Sequence, residues 1–182
     1  HMGTGRIIFN EAVCVDHELN FSRAEMQEAS LEFDQARVHK LDFSECFFNR
    51  YINLKLASAE VIDFSNAVIR DILDLNIRHS STPAATLYFT NMSLPGLLYI
   101  NWNKNKVLQA ILSQNSDTTF EEKAGQYLML KENFSRNGQY DDEDKAYVQY
   151  RRAKAKSSIH DEHNRTSKKI WNYIGYGLDR VL

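Results

Sequence analysis

The sequence contains few of the residues that usually mark turns. Its 182 residues include two prolines and seven glycines, and residues 7–79 contain neither. Tight turns in β proteins commonly use one or the other, so this long segment is unusual for that class. The only cysteines, Cys14 and Cys46, are too few for a disulfide framework, and we expect a reducing compartment.

Long apolar runs and an excess of basic charge are missing as well. No run of about 18 apolar residues occurs, so the segment itself is expected to be soluble and cytoplasmic. A net charge of −2 argues against nucleic acid as the main partner, because nucleic-acid-binding domains are strongly basic. His1-Met2-Gly3 resembles a cloning remnant. We therefore exclude residues 1–6 from the fold and leave open a natural protein that extends past either end.

A five-residue period is the main feature of residues 7–79. In LDFSECFFNR, residues 41–50, the pairs Leu41/Cys46 and Phe43/Phe48 both lie five apart. The first and third places of successive units are apolar or small, and the second, fourth and fifth are mostly polar. Helices and strands repeat every 3.6 and 2 residues, so neither alone explains this spacing.

The period predicts a short strand followed by a corner in each unit. A chain that turns at every unit winds into coils, which stack about 4.8 Å apart through backbone hydrogen bonds. First and third places then point into one continuous core, and several coils are needed for stability. Extra residues after Asp16, Glu28 and Arg50 are expected to bulge at the corners. A helix over residues 24–40 is the alternative, but its apolar spacing fits fives and twos better than 3.6.

The units LNFSR, LDFSE and IDFSN resemble the consensus of the pentapeptide-repeat family. The resemblance implies a mainly β fold, a right-handed quadrilateral β-helix with four units per coil. Degenerate units such as LYFTN and MSLPG extend the pattern to about residue 102, so the β-helix is predicted over residues 7–105.

Helical spacing replaces the five-residue period after the coils. KVLQAILS, residues 106–113, is amphipathic and would cap the open end of the β-helix. A helix is predicted from Asp117 to Phe134 with Ser116 or Asp117 as N-cap. A second is predicted from about Asp141 to Lys156, which completes a cap and hairpin over residues 106–158. The expected apolar faces are Phe120, Ala124, Tyr127, Leu130 and Phe134, and Ala146, Tyr147, Tyr150 and Ala153.

The remainder, residues 159–182, is predicted to be a linker followed by a C-terminal, juxtamembrane helix. The polar stretch Ser157–Arg165 would connect this helix to the hairpin. His160 and His163 form an HxxH pattern within it, but a third convincing metal ligand is missing. Both cysteines occupy inward repeat positions and are expected in the core. No arrangement of residues predicts catalysis, a metal site or a cofactor, so we do not expect an enzyme.

A basic cluster marks the end of the chain and is the candidate interaction site. A solvated helix face is one interpretation. The other is a membrane-surface position, because cytoplasmic flanks of membrane helices are rich in Lys and Arg and carry interfacial aromatic residues. The candidate residues are Arg151, Arg152, Lys154, Lys156, Arg165, Lys168, Lys169 and Trp171.

The order of coils, hairpin and terminal helix resembles bacterial pentapeptide-repeat membrane proteins, some of them ion-channel-like. That resemblance implies a non-catalytic scaffold or regulatory domain, the cytosolic part of a larger membrane protein. The hairpin also resembles one tetratricopeptide hairpin, which would bind a peptide. The alternative function is a DNA mimic that acts on a type II topoisomerase. Residues 1–116 carry 13 acidic and 10 basic side chains, a weak balance for a continuous negative surface. The protein partner is unknown, and homo-oligomerisation stays open.

Overall fold

The computed structural model describes residues 5–76 and 85–178, with side chains of the last helix described as far as Ile159. Twelve short strands precede three helices in this part of the chain. The strands are β1 (Gly5–Ile8), β2 (Val13–Asn20), β3 (Glu25–Met26), β4 (Ala29–Glu32), β5 (Arg37–Asp42), β6 (Phe47–Phe48), β7 (Ile52–Asn53), β8 (Val61–Asp63), β9 (Val68–Ile69), β10 (Ile72–Asp74), β11 (Thr86–Tyr88) and β12 (Leu97–Tyr99). The helices are α1 (Val107–Leu112), α2 (Phe120–Arg136) and α3 (Tyr140–Leu178).

The strands form a parallel β-solenoid of about four turns. Each strand pairs with the equivalent strand of the next turn, which gives three sheets in the orders β1-β4-β7-β10-β12, β2-β5-β8-β11 and β3-β6-β9. The predicted stack of coils with a continuous core is therefore confirmed. The extra residues after Asp16 are accommodated inside β2, where the register with β5 shifts between Cys14 and Glu18.

The turns explain how the solenoid manages without glycine. In each repeated turn the backbone N–H of a small or apolar residue donates to the carbonyl of a phenylalanine three residues earlier, as Ala36 does to Phe33 and Ala67 to Phe64. The residue before the donor has a positive φ, a conformation that costs an L-residue about 1–2 kcal/mol. Polar residues nevertheless take it, with φ between 54° and 64°: Glu11, Arg23, Gln35, Glu45, Asn66 and Asn91.

The Asn or Asp at the second place of many units stabilises the same turns. Its side-chain oxygen accepts the backbone N–H two residues later, an arrangement that mimics a backbone turn. Ser44 donates in this way to Asp42 at 2.9 Å, Lys55 to Asn53 at 3.0 Å and Ser65 to Asp63 at 2.8 Å. The preference for Asn and Asp at this place is thus a property of the turn.

Stacked phenylalanine rings fill the core. Ring centroids lie 5.3 Å apart between Phe21 and Phe43, 5.2 Å between Phe43 and Phe64, and 6.2 Å between Phe64 and Phe89. The middle coils are completely covered, and Phe33, Phe43 and Phe64 have no exposed surface. Cys46 is buried as predicted, whereas Cys14, in the first coil, is only half-buried.

The helices differ from the prediction at their boundaries. Helix α2 begins at Phe120 because Thr119, rather than Ser116 or Asp117, forms a capping box with Glu122. Helix α3 is continuous from Tyr140 to Leu178, so the expected connection at Ser157–Arg165 and the separate helix within residues 159–182 are not observed. The physical reason is that no glycine or proline lies between Gly138 and Gly175 to break the helix.

Candidate interaction surface on the helical cap

Polar side chains of the helices fix the cap onto the last coil. The amide of Asn133 both accepts the backbone N–H of Leu98 at 2.9 Å and donates to its carbonyl at 2.8 Å. The side-chain oxygen of Gln126 accepts the N–H of Phe89 at 3.0 Å. These bonds replace those that another strand would make, so helix α2 satisfies the open backbone edge as a further coil would.

Two further contacts belong to the same set of side-chain to backbone bonds, which we call the polar seam. The carboxylate of Asp142, in the first turn of α3, accepts the backbone N–H of Trp102 at 3.0 Å. The side-chain amide of Asn105 donates to the carbonyl of Leu75 at 2.6 Å. The inward polar residues were not predicted, because helical periodicity identifies a buried face by its apolar residues. Their signal was spacing: Gln126 and Asn133 lie two helical turns apart and alternate with Tyr127, Leu130 and Phe134.

Helices α2 and α3 form the predicted hairpin. Asn137 and Gly138 end α2, and Gly138 adopts a φ of 68° that favours glycine. Ala124, Leu130 and Phe134 are buried on α2, as are Ala146 and Ala153 on α3. Two residues of the predicted apolar faces are not buried between the helices. Phe120 is 41% exposed and Tyr147 is 43% exposed.

The described part of the basic cluster lies at the end of the hairpin opposite its turn, beside the start of α2. The ammonium of Lys154 is 2.6 Å from the carboxylate of Glu121 in the first turn of α2. The ammonium of Lys156 lies 5.6 Å from the ring centroid of Phe120. Lys154 and Lys156 therefore help to hold α3 against α2, a structural role that the sequence did not predict.

Arg151 and Arg152 are exposed on α3. The guanidinium of Arg151 donates to the hydroxyl of Tyr147 at 3.1 Å and lies 5.9 Å from the centre of its ring. This contact keeps the arginine on the helix surface with its charge directed to solvent. The side chains of Arg165, Lys168, Lys169 and Trp171, and those of His160 and His163, lie outside the described residues.

A lysine from the other helix adds to the cluster. Burial lowers the pKa of Lys123 on α2, and the nearby charge of Lys156 lowers it further. The hydrogen bond from Lys154 lowers the pKa of the neighbouring carboxylate, that of Glu121. A cavity of about 750 Å³ lies beside these groups, and its lining includes Gln114, Thr119, Lys123, Lys154 and Ser157. Lysines from both helices thus lie at this end of the hairpin, together with the carboxylate of Glu121.

Metal-ligand clusters and membrane-spanning helices are both absent from the described residues. No group of three or more His, Cys, Asp or Glu side chains is placed there to share a metal ion. No helix in the same part of the chain is long and apolar enough to cross a membrane.

Three comparisons with known proteins add no relative. The chain matches no protein-family model, no curated protein and no solved structure.

Proposed function

We propose that this chain is a non-catalytic interaction domain whose helical hairpin presents a basic surface to a partner. The surface consists of Arg151, Arg152 and Lys156 on α3 and Lys123 on α2. The partner that its chemistry fits is an anionic membrane surface, and the domain would serve as the cytosolic, regulatory or scaffold part of a larger membrane protein.

The observation that carries this proposal is the length of α3. Helix α2 has 17 residues, whereas α3 has 39. The contacts of Lys154 and Lys156 with Glu121 and Phe120 place the start of α2 opposite this part of α3. About 22 further residues of α3 therefore extend beyond its partner helix, a length of about 33 Å. Because this part of α3 extends past the end of α2, it is suited to contact a second surface.

The charge on this extension supports the same partner. The sequence of residues 157–178 adds Arg165, Lys168 and Lys169 to the cations at 151–156, with Asp161 and Glu162 as its only anions. A lysine or arginine near an anionic membrane contributes about 1 kcal/mol of attraction. The aromatic residues Trp171, Tyr173 and Tyr176 are of the types that prefer the interface between lipid and water.

Binding to vesicles of defined composition tests the proposal. The 182-residue chain should sediment with vesicles that contain phosphatidylserine and stay in solution with phosphatidylcholine alone, at about 0.1 M salt. The double variant Arg151→Glu/Arg152→Glu should bind at least about thirtyfold more weakly, because about 2 kcal/mol of attraction is lost. Lys168→Glu/Lys169→Glu should have a similar effect.

The matched control is Arg37→Glu/Lys104→Glu, which changes the net charge equally at exposed positions of β5 and of the loop between β12 and α1. It should bind as the unchanged chain does. Equal binding of all three variants, or no preference for the anionic lipid, would rule out this surface. The coding sequence downstream of Leu182 provides a separate check, since a membrane protein would continue into apolar spans of about 20 residues.

We further infer that the solenoid is of the pentapeptide-repeat type, right-handed and four-sided. The five-residue period, the repeated Phe turns and the Asn or Asp at the second place support this assignment. Support for four sides comes from β2 and β5, which pair at Val13–Cys14 and again, after a register shift, at Glu18–Asn20. Crystallography that showed a left-handed or three-sided coil would overturn this assignment.

The surface charges do not favour a DNA mimic of topoisomerase substrates. Acidic side chains of the solenoid are paired with cations of neighbouring coils, as in Glu45 with Arg23 at 3.0 Å and Asp74 with Lys55 at 2.9 Å. A mimic of the phosphate backbone requires a continuous negative surface. Unchanged DNA supercoiling by gyrase at excess protein is the expected result.

A further inference from the structure

The first coil differs from the later coils at positions that point outward. Ile8 in β1 aligns with Glu32, Asn53 and Asp74 in the following turns. Val13 in β2 aligns with Arg37 and then with Ser58. Ile8 is 51% exposed and Val13 is 69% exposed. Apolar residues therefore occupy two places in the first coil that are polar in the next two coils, although the column of Ile8 ends in Tyr99 in the last coil.

The inward residues of the same coil are also poorly covered. Ile7 is 39% exposed, whereas Leu31 and Ile52, its counterparts in the next two turns, are completely buried. Val15 adds a further exposed apolar side chain. The first coil thus presents an apolar end, which we call the open end and define by Ile7, Ile8, Val13 and Val15.

Backbone groups at the open end lack a strand to pair with among the described residues. Strands β1, β2 and β3 are each the terminal strand of their sheet. In a parallel ladder, alternate residues of such a strand turn their N–H and C=O groups away from the one neighbour that it has. An occupant of this end must therefore supply strand edges on several sides as well as apolar contacts.

We propose that a second copy of this chain covers the open end, so that two solenoids join first coil to first coil. A copy has the same outline and the same strand edges by identity. The last coil cannot serve as the partner surface, because α2 and α3 already satisfy it through Asn133, Gln126 and Asp142. The contact is therefore isologous and closes at two copies.

The size of the first coil is adequate for a stable interface. Gly5–Glu28 form one circuit of 24 residues, which at about 3.3 Å per residue gives a perimeter of roughly 80 Å. A closed outline of that perimeter encloses roughly 400 Å², and roughly 900 Å² once side chains on its outer side are included. Stable complexes bury about 800 Å² on each partner, which falls within this range.

The charges of the first coil are partly neutralised within one copy. Several are already paired with side chains of the second coil. The ion pairs are Arg6–Glu32 at 3.3 Å, Glu18–Lys40 at 3.1 Å, Arg23–Glu45 at 3.0 Å and Glu28–Arg50 at 3.1 Å. Glu11, Asp16 and Glu25 belong to none of these pairs, so three carboxylates of each copy repel those of the other, and the dimer should strengthen as salt screens them.

Sedimentation velocity of the 182-residue chain tests the proposal. At 100 µM the unchanged chain should have twice the mass of a single chain. Ile8→Lys and Val13→Lys each place a charge in both halves of the contact, and the dimer dissociation constant should rise at least about a hundredfold. Both side chains point outward and are exposed, so the monomer should retain its β circular dichroism signal.

The matched control is Leu112→Lys on α1, a 58% exposed leucine at the capped end, which should remain dimeric. Amide exchange of β1 gives a readout that needs no substitution: its protection should increase with protein concentration. An unchanged chain that is monomeric at 100 µM, with β1 exchanging freely, would overturn the second copy as occupant and assign the end to another segment or partner. A dimer disrupted by Leu112→Lys alone would overturn the location.

This inference is independent of the proposed function. The dimer places the two helical caps at opposite ends, so each basic surface stays accessible. Vesicle binding that depends on Arg151 and Arg152 but not on Val13 would separate the two surfaces, and failure of either experiment leaves the other unaffected.

Discussion

At the C-terminal end of the solenoid the last backbone edges meet an amide, a second amide and a carboxylate, those of Asn133, Gln126 and Asp142. At the N-terminal end the first coil instead presents Ile8 and Val13 at positions that are polar in the next two coils. The two ends of one repetitive structure are therefore completed by different chemistry.

The difference follows from what a helix and a coil can offer. A helix uses its own backbone groups internally, so it can pair with a strand edge only through side chains, and α2 supplies amides two turns apart for that purpose. A second coil offers backbone groups directly and needs no amides, but it must be held by apolar contact. Buried amides thus mark the end closed within the chain, and outward apolar residues mark the end left for another surface.

The largest expected effect comes from the ring stack between the two ends. Phe43→Ala should reduce the free energy of unfolding by about 4 kcal/mol, because a completely buried ring is replaced by a cavity. Phe9→Ala, in the half-covered first coil, should cost about half as much in the monomer. Denaturant unfolding of both variants measures this gradient. Equal losses in dilute solution would contradict the description of the first coil as open.

The next effect compares two asparagines that each bind a backbone N–H. Asn133→Ala leaves the buried backbone N–H of Leu98 without a partner, whereas the carbonyl keeps its bond from Asn137, and the variant should cost about 2 kcal/mol. Asn10→Ala removes an exposed bond to the N–H of Asp34 and should cost less than about 1 kcal/mol. Chemical denaturation of the two variants measures the contrast, and a similar small loss at Asn133 would show that the polar seam is dispensable.

The solenoid could be predicted from sequence because its stabilising pattern is local. The spacing of Leu41, Phe43, Cys46 and Phe48 defines two sides of a coil within ten residues, and every coil repeats the information. The cap residues occur once and act over long sequence separations, as Asn133 does with Leu98. Nothing in the local pattern distinguishes such an inward amide from a solvated one.

The sequence indicates that residues 151–169 are rich in cations, but it does not show which of these side chains contact the neighbouring helix. The basic cluster was visible as a run of cations, yet Lys154 is committed to Glu121 and Lys123 joins from the other helix. Such contacts depend on how α2 and α3 pack. The continuous α3 differs from the prediction for another reason. The polar composition of residues 157–165 suggests a loop, but these residues include no glycine or proline that would end a helix.

The smallest expected effect concerns a buried hydroxyl group at the capped end that makes no hydrogen bond within the described part of the chain. The hydroxyl of Tyr127 is buried and has no hydrogen-bond partner among the described residues. Tyr127→Phe removes an unsatisfied group and should raise the free energy of unfolding at pH 7 by about 1 kcal/mol. Tyr140→Phe, in which the lost hydroxyl belongs to an exposed ring, is the matched control and should change it by less than about 0.5 kcal/mol.

The advantage of Tyr127→Phe should increase at alkaline pH. Burial raises the pKa of Tyr127 to about 12, whereas the unfolded phenol ionises near pH 10. The phenol is protonated in both states below pH 10, so no ionisation term arises there. Between pH 10 and 12 the unfolded state releases its proton while the folded state retains it, and the unchanged protein loses stability relative to the variant. Urea unfolding at pH 9 and pH 11 measures how the difference in free energy of unfolding between the two proteins changes. It should increase by about 1.4 kcal/mol, because pH 11 lies one unit above the pKa of the unfolded phenol. A constant difference between the two proteins would mean that the hydroxyl reaches water or a partner, and the capped end would then be less completely closed than its amide contacts indicate.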